Sequence, residues 1–185
     1  HALLAGPNLK SLADFPLIPL VESAHPLEPV LHRAIDLVAS AGLLAVLSPV
    51  LAFTALIIKL SSPGPIFFSQ KRVGLMGQTF CIYKFRTMMV DAEKQTGPCL
   101  SWPGDSRIFP CGQILRSLRI DEFPQLYNVL RGDMSMVGPR PLLPQELARC
   151  RPKHRDRFEA KPGLTGGWRV SGPEGTNLDE AMRRD

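Results

Sequence analysis

The stretch Leu37–Ile58, LVASAGLLAVLSPVLAFTALII, runs for 22 residues without a charge. As a straight helix it would reach about 33 Å, enough to cross a bilayer core of about 30 Å. It is internal and no small-residue cleavage pattern follows it closely, so it is not a signal peptide. A buried core helix is the competing reading, but the run is long for the core of a single 185-residue chain. Ser48-Pro49 sits at its middle. Pro49 has no amide proton, and its ring opposes the carbonyl of Ala45, four residues back. The residue before a proline is pushed away from helical angles, and the Ser48 hydroxyl is at hand for the freed carbonyl. A sharp kink is expected, dividing the run into the arms Leu37–Leu47 and Val50–Ile58. A kinked crossing and a broken helix that returns to the same side both remain open.

Charge is divided unevenly around this stretch. Residues 1–58 have a net charge of −2 and residues 59–185 a net charge of +7. The basic downstream flank (Lys59, Lys71, Arg72, Lys84, Arg86) assigns that side to the cytoplasm. Arg33 and Asp36 stand three apart and are expected to pair with each other. The positive part should attract phosphorylated ligands or anionic lipid headgroups. Nucleic acid is set aside, because there is no zinc spacing, no RNP-like aromatic motif, and aromatics are only 7%. Cys81, Cys99, Cys111 and Cys150 form no C-x-x-C pair and read as reduced thiols in a cytoplasmic compartment.

Three regions follow. Residues 1–28 are proline-punctuated and read as the tail of an upstream region or a linker. Residues 29–60 form the hydrophobic helix, and 61–185 the cytoplasmic part. The chain begins at His1 and ends in NLDEAMRRD, which reads as a helix just starting, so we expect a piece of a longer protein, truncated at its C-terminus.

Within the cytoplasmic part, Pro63-Gly64-Pro65 ends the helix in a turn. IFFSQ and FCIYKFRTM, separated by GLMGQ, predict a β-hairpin. Lys84 and Arg86 are two apart and share a face, either a solvated one or one aimed at a phosphate. Val90–Gly112 reads as mostly irregular after a helical turn at Asp91–Lys94. Gln113–Arg119 predicts a short helix and IDEFPQLYNVLRG the next. In that helix Asp121 suits the N-cap, Pro124 the first turn and Gly132 the C-terminal stop. Phe123, Leu126, Tyr127 and Leu130 give it an apolar face. Ala148–Phe158, ARCRPKHRDRF, is a solvated helix or a basic stripe at a membrane surface. Lys161–Gly172, KPGLTGGWRVSG, is a Gly-rich loop with one indole and lacks a dinucleotide fingerprint.

The chemistry concentrates in LRIDEFPQLYNVLRGDMSMVGPRP, Leu118–Pro141. Asp121 and Glu122 have a bland reading, a cap and a first-turn carboxylate favoured by the helix dipole. Arg140 lies between two prolines that confine its backbone. It offers a rigid planar fork to a phosphate or, more simply, to a carboxylate in a turn. Paired carboxylates hold Mg²⁺ together with substrate phosphates, and one carboxylate can attack phosphorus.

SPGPIFFSQKRVG, YKFRTM, IDEFPQLYNVLRGDMSMVGPRP and KPGLTGGWRVSG, in that order after a hydrophobic helix with Ser-Pro, resemble the bacterial sugar transferase family, the monotopic polyprenyl-phosphate phosphoglycosyl transferases. The resemblance covers roughly residues 29–185. It implies an α+β, mainly α, monotopic membrane protein: a broken re-entrant helix at Ser48-Pro49, a small β-hairpin, and several short and amphipathic helices. It implies transfer of a sugar 1-phosphate from a UDP-sugar to undecaprenyl phosphate with release of UMP, the first membrane step of exopolysaccharide, capsule or O-antigen synthesis. Asp121 would attack the β-phosphorus and form a phosphosugar-aspartyl intermediate. Glu122 would hold the Mg²⁺ cofactor, and Lys84, Arg86, Arg116 and Arg140 would neutralise phosphate charge. The implied setting is the cytoplasmic face of the bacterial inner membrane, among its lipids, with a homo-oligomer left open. Gly167, Arg169 and Pro173 depart from the bulky residue, the glutamine after tryptophan and the arginine usual in the family's loop, which leaves the sugar undetermined. The usual C-terminal amphipathic helices are absent from the sequence. Two other functions stay open: a membrane-anchored module that binds anionic lipid or phosphate without catalysis, and a polyprenyl-diphosphate phosphatase.

Overall fold

The computed structural model of the chain describes residues 27–90, 92, 105–148 and 150–170. Its first element, α1 (Glu28–Ser61), is a single 34-residue α-helix with Pro49 inside it. The two separate arms expected on either side of Ser48-Pro49 are therefore joined. The local reason is visible: the Ser48 hydroxyl donates to the Ala45 carbonyl at 2.8 Å, the acceptor that Pro49 cannot satisfy.

The burial of α1 is inverted relative to a core helix. Asp36, Ser40 and Thr54 are buried, with Ile58 the one apolar residue among them. Val38, Leu43, Val46, Phe53 and Leu56 face outward. Asp36 and Thr54 are 18 residues apart, as are Ser40 and Ile58, which is five turns and hence one face. A soluble protein hides such apolar side chains. This helix turns them out and keeps its polar groups against protein, the pattern of a lipid-facing helix. It is long and apolar enough to cross a membrane, and it associates the chain with one.

Both ends of α1 are fixed to the rest of the fold. Arg33 donates to the carbonyls of Val129 and Leu130 at 2.6 and 2.7 Å. Asp36 accepts from the Ser135 hydroxyl at 3.0 Å and the Met136 amide at 2.9 Å. The expected pairing of Arg33 with Asp36 is thus replaced by two clamps onto neighbouring backbone. At the other end Ile58 is fully buried in a cluster with Phe85, Phe109 and Leu115.

The predicted hairpin is present: β1 (Phe67–Val73) pairs antiparallel with β2 (Thr79–Phe85), Phe67 opposite Phe85 and Val73 opposite Thr79. α2 (Pro110–Ser117) starts three residues before the predicted helix, because Pro110 supplies a helical φ at the first position. Asp91 and residues 93–104 of the expected irregular connection lie outside the described residues. The segment Ile120–Gln125 is a 3₁₀ helix that leads into α3 (Leu126–Arg131). Gly132 stops α3 at φ 90°, the left-handed conformation that glycine adopts without penalty.

A second sheet went unforeseen. β3 (Ser135–Val137) pairs in parallel with β4 (Gly163–Thr165). The backbones meet so closely that a Cβ on Gly163 would strike the Gly138 amide nitrogen. Two short helices, α4 (Pro144–Leu147) and α5 (Gly167–Val170), and two 3₁₀ helices, Leu75–Gly77 between the hairpin strands and Pro152–Phe158, complete the described chain. Cores form around Val73, Leu142, Cys150 and Phe158 and around Ile82, Val129 and Met134. Among the described residues Cys81, Cys111 and Cys150 form no disulfide with one another, and Cys99 lies outside the described residues.

Candidate active site

Asp121 does not cap a helix. The residue flanking the 3₁₀ helix is Arg119, in the left-handed region at φ 56°, and it makes no side-chain cap bond. A non-glycine residue held there carries backbone strain of the order of 1–3 kcal/mol. The consequence is that α2 ends, the chain turns sharply, and Asp121 enters the first turn with its side chain free of the capping role. It is buried, 8% exposed. That burial pushes its pKa up from 3.8 to about 6, with Lys84 opposing, Glu122 adding to the rise and Arg116 opposing.

Glu122 stands beside it with the opposite electrostatics. Lys84 Nζ lies 2.9 Å from its Oε1, and Arg169 Nη2 binds its Oε2. Burial raises the Glu122 pKa, but Lys84 and Arg169 outweigh that and hold it below the ordinary glutamate value. Two adjacent carboxyl groups are thereby driven apart in pKa. Such separation is the usual basis for two carboxylates with two roles.

The register that brings Lys84 to Glu122 comes from Asn128, which is fully buried in α3. Its amide accepts from the Tyr83 N–H at 3.1 Å and donates to the Cys81 carbonyl at 2.7 Å. One side chain thus satisfies two backbone groups of β2 and fixes the strand against the helix that follows the carboxylates.

The Pro139-Arg140-Pro141 segment is held along its length. The Pro139 carbonyl accepts from Gly163 N at 2.9 Å, the Arg140 carbonyl from Arg157 at 2.9 Å, and the Pro141 carbonyl from Arg72 at 3.1 Å. These three bonds hold the backbone on both sides of Arg140. Trp168 links this segment to the dyad. Its indole N–H donates to the Gly138 carbonyl at 3.2 Å. Arg140 stands 6.0 Å and Arg169 4.5 Å from its ring centre.

The sequence of a rigid arginine, an aromatic bridge and a carboxylate dyad falls within a region that matches a known family from end to end. A model of the bacterial sugar transferase family covers residues 27–185. The chain belongs to this family. A UDP-glucose:undecaprenyl-phosphate glucose-1-phosphate transferase of Caulobacter vibrioides is 44% identical, covering the whole chain and 69% of that protein. A sugar transferase of Bacillus subtilis, itself uncharacterised, is 41% identical over 84% of this chain and 76% of its own length. A UDP-N-acetylgalactosamine-undecaprenyl-phosphate N-acetylgalactosaminephosphotransferase of Aeromonas hydrophila is 41% identical over 76% of this chain but 34% of its own length.

Within this sugar transferase, the predicted site residues divide. Asp121, Glu122 and Lys84 come together, and Arg116 contributes to the electrostatics of Asp121 while its Nε donates to Thr87 at 2.8 Å. Arg86 has another task. Buried, it donates to the carbonyls of Pro63 at 2.6 Å and Ser62 at 2.7 Å, and so braces the turn after α1. Asn128 and Arg169 were missed as site residues. The signal for Asn128 was one amide in a helix of apolar spacing; Arg169 had been noted only as a departure from the family loop.

Glu122 and Asp121 are the carboxylates that this site offers to Mg²⁺. Glu122 keeps its charge and has Asp121 beside it, and Mg²⁺ takes one or two carboxylates plus phosphate oxygens. Among the described residues no three His, Cys, Asp or Glu side chains gather into a metal-holding group, so phosphate and water oxygens would complete the shell. The residues fit Mg²⁺, provided that one of the two cations yields a Glu122 oxygen.

Proposed function

We propose that this sugar transferase moves a sugar 1-phosphate from a UDP-sugar to undecaprenyl phosphate and releases UMP. The observation that carries the reading is the pair Asp121 and Glu122: one carboxyl buried and raised to about 6, its neighbour held ionised between two cations. At neutral pH the Asp121 carboxylate is ionised and poorly solvated, the condition of an activated nucleophile. Its oxygen attacks the β-phosphorus. The bond from that phosphorus to the bridging oxygen breaks, and UMP departs with the electron pair. The sugar phosphate is then esterified to Asp121. A phosphate oxygen of undecaprenyl phosphate attacks the same phosphorus, returns the carboxylate and forms the lipid diphosphate sugar.

Lys84, Arg116 and Arg140 neutralise phosphate charge in this scheme, and Arg86 remains a brace. Glu122 would hold Mg²⁺, which when bound neutralises diphosphate charge that the side chains alone leave exposed.

We further infer that α1 does not cross the bilayer. Arg33 and Asp36 at one end and Ile58 at the other pack on the same folded unit, so both ends belong on one side. The basic downstream part makes that side cytoplasmic, and in bacteria the membrane is the inner one.

The test is radiolabelled UDP-sugar, drawn from a panel that includes glucose and N-acetylgalactosamine, mixed with undecaprenyl phosphate and purified protein. Label in the lipid fraction with equimolar UMP is expected. Binding without turnover would support a binding module instead, and free phosphate released from an undecaprenyl diphosphate would support a phosphatase.

A further inference from the structure

Arg169 reaches Glu122 from the Gly-rich loop, and the scheme above assigns it no step. Its guanidinium sits 4.5 Å from the Trp168 ring centre, and its Nη2 holds Glu122 Oε2. Its Nε is buried and makes no hydrogen bond among the described residues, so part of the fork is oriented but lacks an acceptor there. Lys84 occupies the other Glu122 oxygen at 2.9 Å. Both oxygens of the Glu122 carboxylate are therefore covered by cations. A divalent ion arriving at Glu122 meets a positive charge on each side, and a unit charge a few Å away is felt strongly in a partly desolvated site. Of the two partners, Lys84 is anchored in β2, whose register Asn128 fixes. Arg169 stands in the four-residue α5 and retains a second favourable place over the indole.

We propose that Arg169 is a resident counter-ion of Glu122 which a divalent cation displaces, and that the released guanidinium then binds the phosphates of the donor. This rests on the reading of Glu122 as the metal-holding residue. It makes the metal-free site a closed ion-pair set and gives the arginine two alternating acceptors, a carboxylate and a phosphate. A plain loop latch makes the opposite forecast: cutting it would loosen Glu122 and weaken metal binding.

Free Mn²⁺, followed by its electron paramagnetic resonance signal in the absence of nucleotide, separates the two. Wild type, Arg169→Gln and Arg169→Met are compared, each also in a Glu122→Gln background. The methionine keeps an apolar stem over Trp168, so if one variant fails to fold the other decides. Loss of the guanidinium should tighten Mn²⁺ binding about tenfold, and Glu122→Gln should remove that gain. UDP binding measured at saturating Mn²⁺ should weaken by about threefold or more in the same variants, since a charge-assisted phosphate contact is lost. Unchanged or weaker Mn²⁺ binding overturns the exchange. Tighter Mn²⁺ binding in variants of a protein whose wild type transfers no sugar phosphate would uphold the exchange and overturn only the transfer reading.

Discussion

At the scale of single residues, Asp121 concentrates the argument. Its folded pKa of about 6 lies above the ordinary value of 3.8. Between those values the folded protein holds a proton that the unfolded chain has released. Stability therefore falls as pH rises from about 4 to about 6, by up to about 3 kcal/mol. Asp121→Asn removes that penalty. The variant should melt at a higher temperature than wild type at pH 7.5 and at about the same temperature below pH 4, measured by thermal unfolding. Transfer should be abolished, because an amide is a poor nucleophile on phosphorus. The same pKa sets a rate profile. UMP released from UDP-sugar without acceptor should fall about tenfold per pH unit below pH 6 and level off above it. Omitting the acceptor keeps its own phosphate titration out of the measurement. A flat profile between pH 5 and 8 would separate the rate from Asp121.

At the scale of elements, Asn128 joins α3 to β2. Asn128→Leu keeps the volume but leaves the Tyr83 N–H and the Cys81 carbonyl without partners. That should cost about 2–4 kcal/mol in urea unfolding and lower transfer by more than tenfold as Lys84 loses its register. A variant with wild-type stability would remove this role. The hairpin was legible because alternation over two seven-residue strands is a strong period-2 signal. So was the end of α3, since Gly132 meets a need that few residues meet. The start of that helix was misread: a left-handed arginine leaves no mark in sequence, so Asp121 took the cap that Arg119 occupies. β3 and β4 are three residues each, too short for any period, and pair across a wide separation in the chain. In the site, residue type and spacing singled out Asp121, Glu122 and Lys84, and the family resemblance gave them their expected roles. The bracing role of Arg86 was not legible, because its carbonyl acceptors in Ser62 and Pro63 depend on how α1 leaves the fold.

At the scale of the whole molecule, α1 presents its apolar side outward while clamped at both ends to the unit that carries the dyad. Cysteine labels at Leu27 and Met76 in intact cells should both be shielded from an impermeant reagent. Ser48→Ala combined with Pro49→Leu restores the missing backbone donor and should favour a continuous crossing, exposing Leu27. An accessible Leu27 label in the otherwise native chain would mean that α1 spans the membrane. The proposed transfer turns on one chemical event, formation of a sugar phosphate ester on Asp121. Incubation with UDP-sugar in the absence of undecaprenyl phosphate, followed by acid quench and peptide mass mapping, observes that event directly. A sugar phosphate adduct on the peptide containing Asp121, with an equal amount of UMP, is the expected result. UMP released only when the acceptor is present, with no adduct on the protein, would contradict it.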